Sequence, residues 1–299
     1  MGVTFCSIRW LEKIGCFPRP GLRILDIGSS NLYQASEENI LEFVQKYSRE
    51  KPGEHRALIQ RLAAGSAYDT VHGGKNEAFL GEMLELAGFD YKSIDIAGGY
   101  KTTVIDLNYQ AAPPSFMQTF DLVINFGTTE HLLNQFNAFK FIHDCTKPGG
   151  HIVHSVPCVG YTNHGYLTFT PRCLFDLAGY NDYEIVNFAY DDAHHLSDLR
   201  DPVRDYTTYF PALASAGGLR EEVAKVPDIC LFVVLKKKHD RPFLGALEKT
   251  TSVGSIPGAV TERYEMDTVS RNQPHTLIQQ RAGTGRIQCF LRKILGGMN

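Results

Sequence analysis

The chain alternates short apolar runs with stretches of helical periodicity. Leu22 to Ile27 (LRILDI) is a short apolar run closed by an acid and then Gly28, the pattern of a buried parallel strand feeding a turn. Ahead of it, residues 3–14 read as an amphipathic lead-in helix stopped by Pro18 and Pro20. Behind it come three helical patterns. Residues 36–48 have Ser36 as N-cap and acids in the first turn, residues 54–64 end at Gly65, and residues 75–87 carry Phe79, Leu80, Met83, Leu84 and Leu86 before Gly88. Strand patterns then follow at Tyr91–Ile96, Thr102–Leu107 and Phe120–Phe126 (FDLVINF). A helix is expected at 131–146, a turn at Pro148-Gly149-Gly150, and a strand at His151–Val156. A helix at 171–179, a strand at 183–189 and a strand at 228–236 complete the series. Strands alternating with helices predict a mostly parallel sheet covered on both faces.

This pattern fades after residue 238, where Gly, Thr, Ser, Pro and Gln dominate until Cys289-Phe290-Leu291. The expected organisation is one domain over 1–238, with an insertion at about 32–74 and an irregular, lid-like segment at about 191–226. Residues 239–299 are expected to form a disordered tail ending in a short helix. With 299 residues and 43% hydrophobic content, the chain can bury a sizeable core. A net charge of −3 gives no global pull toward nucleic acid or an anionic membrane, so neither is expected as a partner. Seven scattered cysteines without a CxxC pair argue against a disulfide framework or a cysteine zinc site. No signal-peptide pattern opens the chain, and the densest apolar run, Ile229–Leu235, is too short to span a bilayer. These features predict a cytoplasmic protein, with oligomeric state left open.

The segment Arg23-Ile-Leu-Asp-Ile-Gly-Ser-Ser-Asn31 is the most informative. In open α/β sheets a ligand lies beyond the carboxyl ends of the strands. Gly28 would let backbone approach it, and Asp26 could hold the turn or meet a ligand amine. A dinucleotide site wants G-x-G-x-x-G to seat a pyrophosphate, and this turn offers one glycine of that pattern. A ligand without phosphates, such as S-adenosylmethionine, does not need the others. Asp95 ends the next strand and suits the ribose hydroxyls, although it lies 67 residues from Gly28 rather than the usual ~20, with the insertion accounting for the excess. Asp106 and Leu107 end the following strand and could contact an adenine. Asn125 and Phe126 end the fourth strand, beside the expected position of a reactive sulfonium, and Glu130 and His131 would open the next helix toward the cleft.

The order L-D-I-G, an acid-ended strand, F-D-L-V-I-N-F, E-H-L and K-P-G-G-H-I-V resembles the class I S-adenosylmethionine-dependent methyltransferases across roughly residues 22–190, extended to about 237 by the last strand. The resemblance implies a Rossmann-like three-layer αβα sandwich with a mostly parallel seven-stranded sheet and an antiparallel last strand. It also implies S-adenosylmethionine as cofactor, with Asp26, Gly28, Ser29, Asn31, Asp95, Asp106, Leu107, Asn125 and Phe126 as binding candidates. The chain departs from the family at Gly28-Ser29-Ser30-Asn31, where many members carry G-x-G, and in the insertion after the first strand, which could form a substrate cover or a partner surface.

Methyl transfer from a sulfonium is an in-line displacement in which the protein mainly positions the nucleophile, helped by a base where the acceptor carries a proton. His131 and His164 are the catalytic candidates. His164 belongs to a group with His154, Tyr161 and Tyr166 in or after the fifth strand. The His-Gly-Tyr stretch before Phe169-Thr-Pro171 resembles bacterial methyltransferase-like proteins of glycan and secondary-metabolite pathways, which implies O- or N-methylation of a small-molecule acceptor. Asp191, Asp192, His194 and His195 read as a solvated loop rather than a metal cluster, and no metal is expected. Lys236-Lys237-Lys238-His239 reads as the solvated end of the last strand. Two competing functions are a catalytically inactive binding relative and a nicotinamide-dependent oxidoreductase. The missing G-x-G-x-x-G and Tyr-x-x-x-Lys patterns count against the second.

Overall fold

A computed structural model of the protein describes residues 2–48, 55–67, 77–161, 164–192, 228–247 and Glu262, and among these described residues there are nine strands and six α-helices. In chain order they are β1 (Gly2–Thr4), α1 (Phe5–Lys13), β2 (Arg23–Ile27), β3 (Asn31–Tyr33), α2 (Glu37–Tyr47), α3 (Arg56–Gly65), α4 (Leu80–Leu86), β4 (Asp90–Asp95), β5 (Thr102–Val104), β6 (Phe120–Phe126), α5 (Gln135–Cys145), β7 (Thr146–Val159), α6 (Pro171–Tyr180), β8 (Glu184–Asp192) and β9 (Ile229–Lys236). The main sheet has the order β5-β4-β2-β6-β7-β9-β8. Its pairs are parallel from β5 through β7, and β9 runs antiparallel to both β7 and β8. The carboxyl ends of β2, β4, β5, β6 and β7 therefore share one edge.

Side-chain alternation assigns the two faces of this sheet. Ile24, Leu122, Ile124, Val153 and Val234 share one buried cluster with Ile8 and Leu11 of α1, Phe43 and Val44 of α2, and Leu80 and Met83 of α4. Residues of opposite parity face α5, where Phe139 stacks edge-on against His154. Helix, sheet, helix is the three-layer arrangement expected. In the α2 part of the insertion, Phe43 and Tyr47 pack with Phe17 and Phe89, ring centroids 5.1–6.2 Å apart, within that first helical layer. Ser36 caps α2 as expected, exchanging side-chain hydrogen bonds with Asn39.

Several boundaries differ from expectation. Asn31 lies in β3, which pairs parallel with β1 in a separate two-stranded sheet. Glu130 and His131 lie in a single 3-10 turn, because Asn134 caps α5 and starts the helix four residues later. Gly149 and Gly150 form an irregularity inside the longer β7. Asp191 is not in a solvated loop: it is buried in β8, opposite Cys230. His194, His195 and residues 193–226 of the expected lid lie outside the described residues.

The basic run after β9 is only partly solvated. Lys237 is fully buried, and its Nζ donates to the carbonyls of His143 (2.8 Å) and Thr146 (2.9 Å), closing the end of α5. Residues beyond 238 keep structure as far as they are described. Phe243 is buried beside His143 and Phe136.

A second unit, Pro171–Tyr183 with the chain from Leu244 on, is held by Asn181, whose side chain bonds both backbone groups of Leu244, and by the Tyr180 hydroxyl on the Leu247 carbonyl.

Lys237→Met keeps the stem but leaves two buried carbonyls without their donor. Denaturant unfolding is expected to show a loss of about 2–3 kcal/mol. A second prediction concerns acid. Burial holds His154 neutral, pushing it from 6.5 to about 4, so the unfolded chain takes the proton first. Its contribution is complete above pH 6.5 and is lost as pH falls toward 4, about 3 kcal/mol in all. Asp26, raised to about 6 by burial, acts in the opposite direction, so the difference between two proteins is the useful readout. Unfolding of His154→Gln should depend less steeply on pH between 6.5 and 4 than that of the unmodified chain.

Candidate active site

The β2 turn is built on a buried carboxylate. Asp26 accepts from the Ser30 amide (2.7 Å), the Ser30 hydroxyl (3.0 Å) and the Tyr91 hydroxyl (2.8 Å). Of its two expected roles, the geometry gives it the turn. Tyr91 reaches it only because α4 presents Gly81 there, where a Cβ would stand 2.2 Å from the ring. Gly28 adopts φ +119°, a backbone that side chains disfavour, and donates its amide to Ile94 (2.7 Å). Ser29, at φ +42°, accepts the Tyr100 amide on its hydroxyl (3.1 Å).

The other cofactor candidates divide into two groups. Asp95 stands at the end of β4 and spends Oδ1 on the Ala97 amide (2.9 Å). Asp106 likewise turns the chain through the Asn108 amide (2.9 Å), and the Leu107 carbonyl accepts from Asn137 (2.7 Å). All three lie at the carboxyl edge of the sheet. Asn31 lies past the turn, with its side-chain amide directed at the Ala78 carbonyl (3.4 Å). Asn125 and Phe126 are core residues rather than lining groups. The Asn125 amide donates to Thr129 Oγ1 (2.9 Å) and His154 Nδ1 (3.1 Å) while its oxygen accepts from the Thr128 and Thr129 amides. The Phe126 ring packs on Phe232 at 5.9 Å.

The two catalytic candidates do come together, around a residue not counted with them. The His131 and His164 rings meet edge to face at 4.9 Å. Glu130 lies beneath them with its side chain 1% exposed, while the histidines are 40% and 47% exposed. Its Oε1 is 4.0 Å from His131 Nε2 and 3.5 Å from His164 Nε2, and among the described residues no other residue hydrogen-bonds either carboxylate oxygen. Burial raises Glu130 to about 7 and lowers His131. Two backbone clamps fix this arrangement. The Tyr166 and Leu167 amides both donate to the Glu130 carbonyl (2.8 and 3.2 Å), and Thr128 bonds the Ile27 carbonyl across to β2. His154 and Tyr166 do not join the cluster: His154 is buried against Asn125, and Tyr166 is exposed. Tyr161 borders it, its ring 5.6 Å from His164 and its hydroxyl 2.9 Å from Cys230 Sγ.

Exposed apolar side chains mark the same edge. Ile96, Val104, Tyr109, Leu133 and Tyr166, each more than 60% exposed, follow the ends of β4, β5, β5, β6 and β7. A row of exposed apolar groups along one edge is the signature of a surface that binds something. Periodicity could not single these residues out, because each is isolated in sequence.

Residues 65–199 match the family model described as a methyltransferase domain. The strand order, the β2 turn and this match agree. Over those residues the chain is similar to a methyltransferase domain. No curated protein matches it. Solved structures similar to this chain include the Burkholderia thailandensis 1,6-didemethyltoxoflavin-N1-methyltransferase with bound 1,6-didemethyltoxoflavin and S-adenosylhomocysteine (12% identity, 78% of this chain, 77% of that chain, TM-score 0.39). Another is Haemonchus contortus phosphoethanolamine N-methyltransferase 2 with S-adenosylmethionine (13%, 78% and 52%, 0.41). A third is a methyltransferase from Archaeoglobus fulgidus (13%, 77% and 92%, 0.38). Among the described residues no helix is long and apolar enough to cross a membrane.

Tyr91→Phe removes one of three donors to a buried carboxylate. The expected cost is about 1–3 kcal/mol, read as a lower melting temperature, with weaker cofactor binding from a loosened turn.

Proposed function

We propose that the protein methylates a small-molecule acceptor, at oxygen or nitrogen, in a cleft along the carboxyl edge of β2, β4, β5, β6 and β7. The observation that carries this reading is the convergence at that edge of the glycine turn, the acid ending β4 and the Glu130–His131–His164 cluster. S-adenosylmethionine supplies an electrophilic methyl group there. The fit rests on Gly28, whose left-handed backbone keeps the turn clear of side chain, and on Asp95 followed by exposed Ile96. Asp95 has Oδ2 to offer the ribose diol, Ile96 an apolar platform for the adenine, and Asp106 and Leu107 a rim for its edge. Gly28, Ser29 and their amides line the amino-acid end, with Asp26 shaping the turn from beneath. His131 and His164, partly exposed, face the acceptor and deal with the proton of its nucleophile. The neighbours' small-molecule substrates, a toxoflavin precursor in one case, are in keeping with an acceptor of this size. Among the described residues the six cysteines are thiols, which supports a cytoplasmic setting.

Calorimetric titration tests this directly. The purified chain should bind S-adenosylmethionine and not NADH. Asp95→Ala should weaken that binding by about 10- to 150-fold, the loss of a charge-assisted bond of about 1.5–3 kcal/mol. Unchanged affinity would move the ribose anchor elsewhere, and a folded chain that binds neither compound would favour a non-catalytic relative.

A further inference from the structure

The Glu130 carboxylate is buried and, among the described residues, neither of its oxygens is hydrogen-bonded by another residue, a costly arrangement for an anion unless something charged sits against it. The two imidazole nitrogens beside it, His164 Nε2 at 3.5 Å and His131 Nε2 at 4.0 Å, stand too far away for good hydrogen bonds. These separations suit a different geometry. Two ligand atoms that each lie ~2.1 Å from one cation stand roughly 3–4.2 Å from each other. One ligand atom from each of Glu130, His131 and His164 falls in a group whose members all lie within 4.8 Å of one another, so a small closing motion brings all three onto one ion.

We propose that Glu130, His131 and His164 form a divalent transition-metal site at the carboxyl end of β6. Two imidazoles and one carboxylate are a donor set for zinc, manganese, iron(II) or cobalt, and leave coordination positions open. The sequence expectation of no metal weighed the scattered cysteines and the group Asp191, Asp192, His194 and His195, and did not place Glu130 beside His164.

The scaffold holds the site in advance of any ion. Glu130 and His131 are adjacent in a 3-10 turn that Asn125 ties down through the Thr128 and Thr129 amides. His164 arrives on a separate loop that must come close to Glu130. Gly165, at φ +69°, makes this approach feasible, since a Cβ there would stand 2.9 Å from Glu130 Cγ and 3.1 Å from its carbonyl. The Tyr166 and Leu167 amides then fasten the loop to that carbonyl.

An open metal position selects the acceptor's chemistry, a step that rests on the methyltransferase reading above. A hydroxyl, enol or phenol bound through oxygen becomes more acidic on the cation and loses its proton to solvent. The oxygen then forms the new C–O bond as the C–S bond of the sulfonium breaks, and S-adenosylhomocysteine leaves. The imidazoles thus act on the acceptor's proton through the ion rather than as bases, and oxygen acceptors are favoured over amines.

The full chain, stripped with chelator, is titrated with Co²⁺ and Zn²⁺ by calorimetry and visible absorption, with S-adenosylmethionine titrated separately. One cation per chain is expected, with a cobalt d–d band that zinc erases. His164→Gln, on the exposed rim, and Glu130→Gln should each weaken binding at least tenfold and alter the band, while S-adenosylmethionine binding to His164→Gln stays unchanged. No saturable binding, or equal binding by the folded His164→Gln chain, overturns the site. S-adenosylmethionine binding without cation binding sinks the metal alone. Cation binding without S-adenosylmethionine binding keeps the site and sinks the methyltransferase reading.

Discussion

Asp26 places a carboxylate at the end of the central strand, fully out of water, where only three donors from the protein keep it from being a liability. Two come from Ser30, four residues on, and fold the chain back into a turn. The third is the Tyr91 hydroxyl on β4, which fixes the neighbouring strand. The constraint spreads further, because Tyr91 can lie there only if α4 carries no side chain at Gly81. A single buried charge thus ties the glycine turn, two strands and a helix of the first layer into one geometry. The cofactor edge inherits its shape from that knot.

A second knot, on the neighbouring strand, governs the acceptor side. Asn125 has no capacity left for a ligand: its donors serve Thr129 and His154, and its oxygen serves two amides. What it provides is the direction in which the chain leaves β6, and so the position of Glu130 and His131. The Thr128 hydroxyl donates to the β2 carbonyl of Ile27, so the turn after β6 is tied to the end of β2 by a side-chain hydrogen bond. Residues that read as contact groups in the sequence act here as the frame for contact groups.

Much of this was legible because parallel strands buried on both faces leave apolar runs, and because acids and glycines cluster where those runs stop. The runs 22–27 and 120–126, the cap at Ser36 and the acid at Asp95 needed nothing beyond local pattern. The roles of Asn125 and Phe126 were not legible, since position at a strand end does not say which face the side chain takes. Nor was the burial of Lys237, a lysine in a basic run whose ammonium closes the open carbonyls at the end of α5, far away in sequence. The β1–β3 pair was hidden by its three-residue length. Glu130 was noted beside His131 but not as the centre of a cluster, because its partner His164 lies 34 residues away and is delivered by the topology of β7.

Those two limits have a common cause, since burial of a polar group is a property of the assembled fold, and an ion pair across loops leaves no periodic trace. The same reasoning identifies where the fold is least satisfied. Asp26 and Glu130 are both buried carboxylates at the carboxyl edge, both raised by burial, to about 6 and about 7. Yet Asp26 has three donors, and among the described residues no other residue donates to the Glu130 carboxylate. Two such groups, one in β2 and one in the turn after the neighbouring β6, divide the labour: a structural acid completed by the protein, and a second that a bound cation would complete.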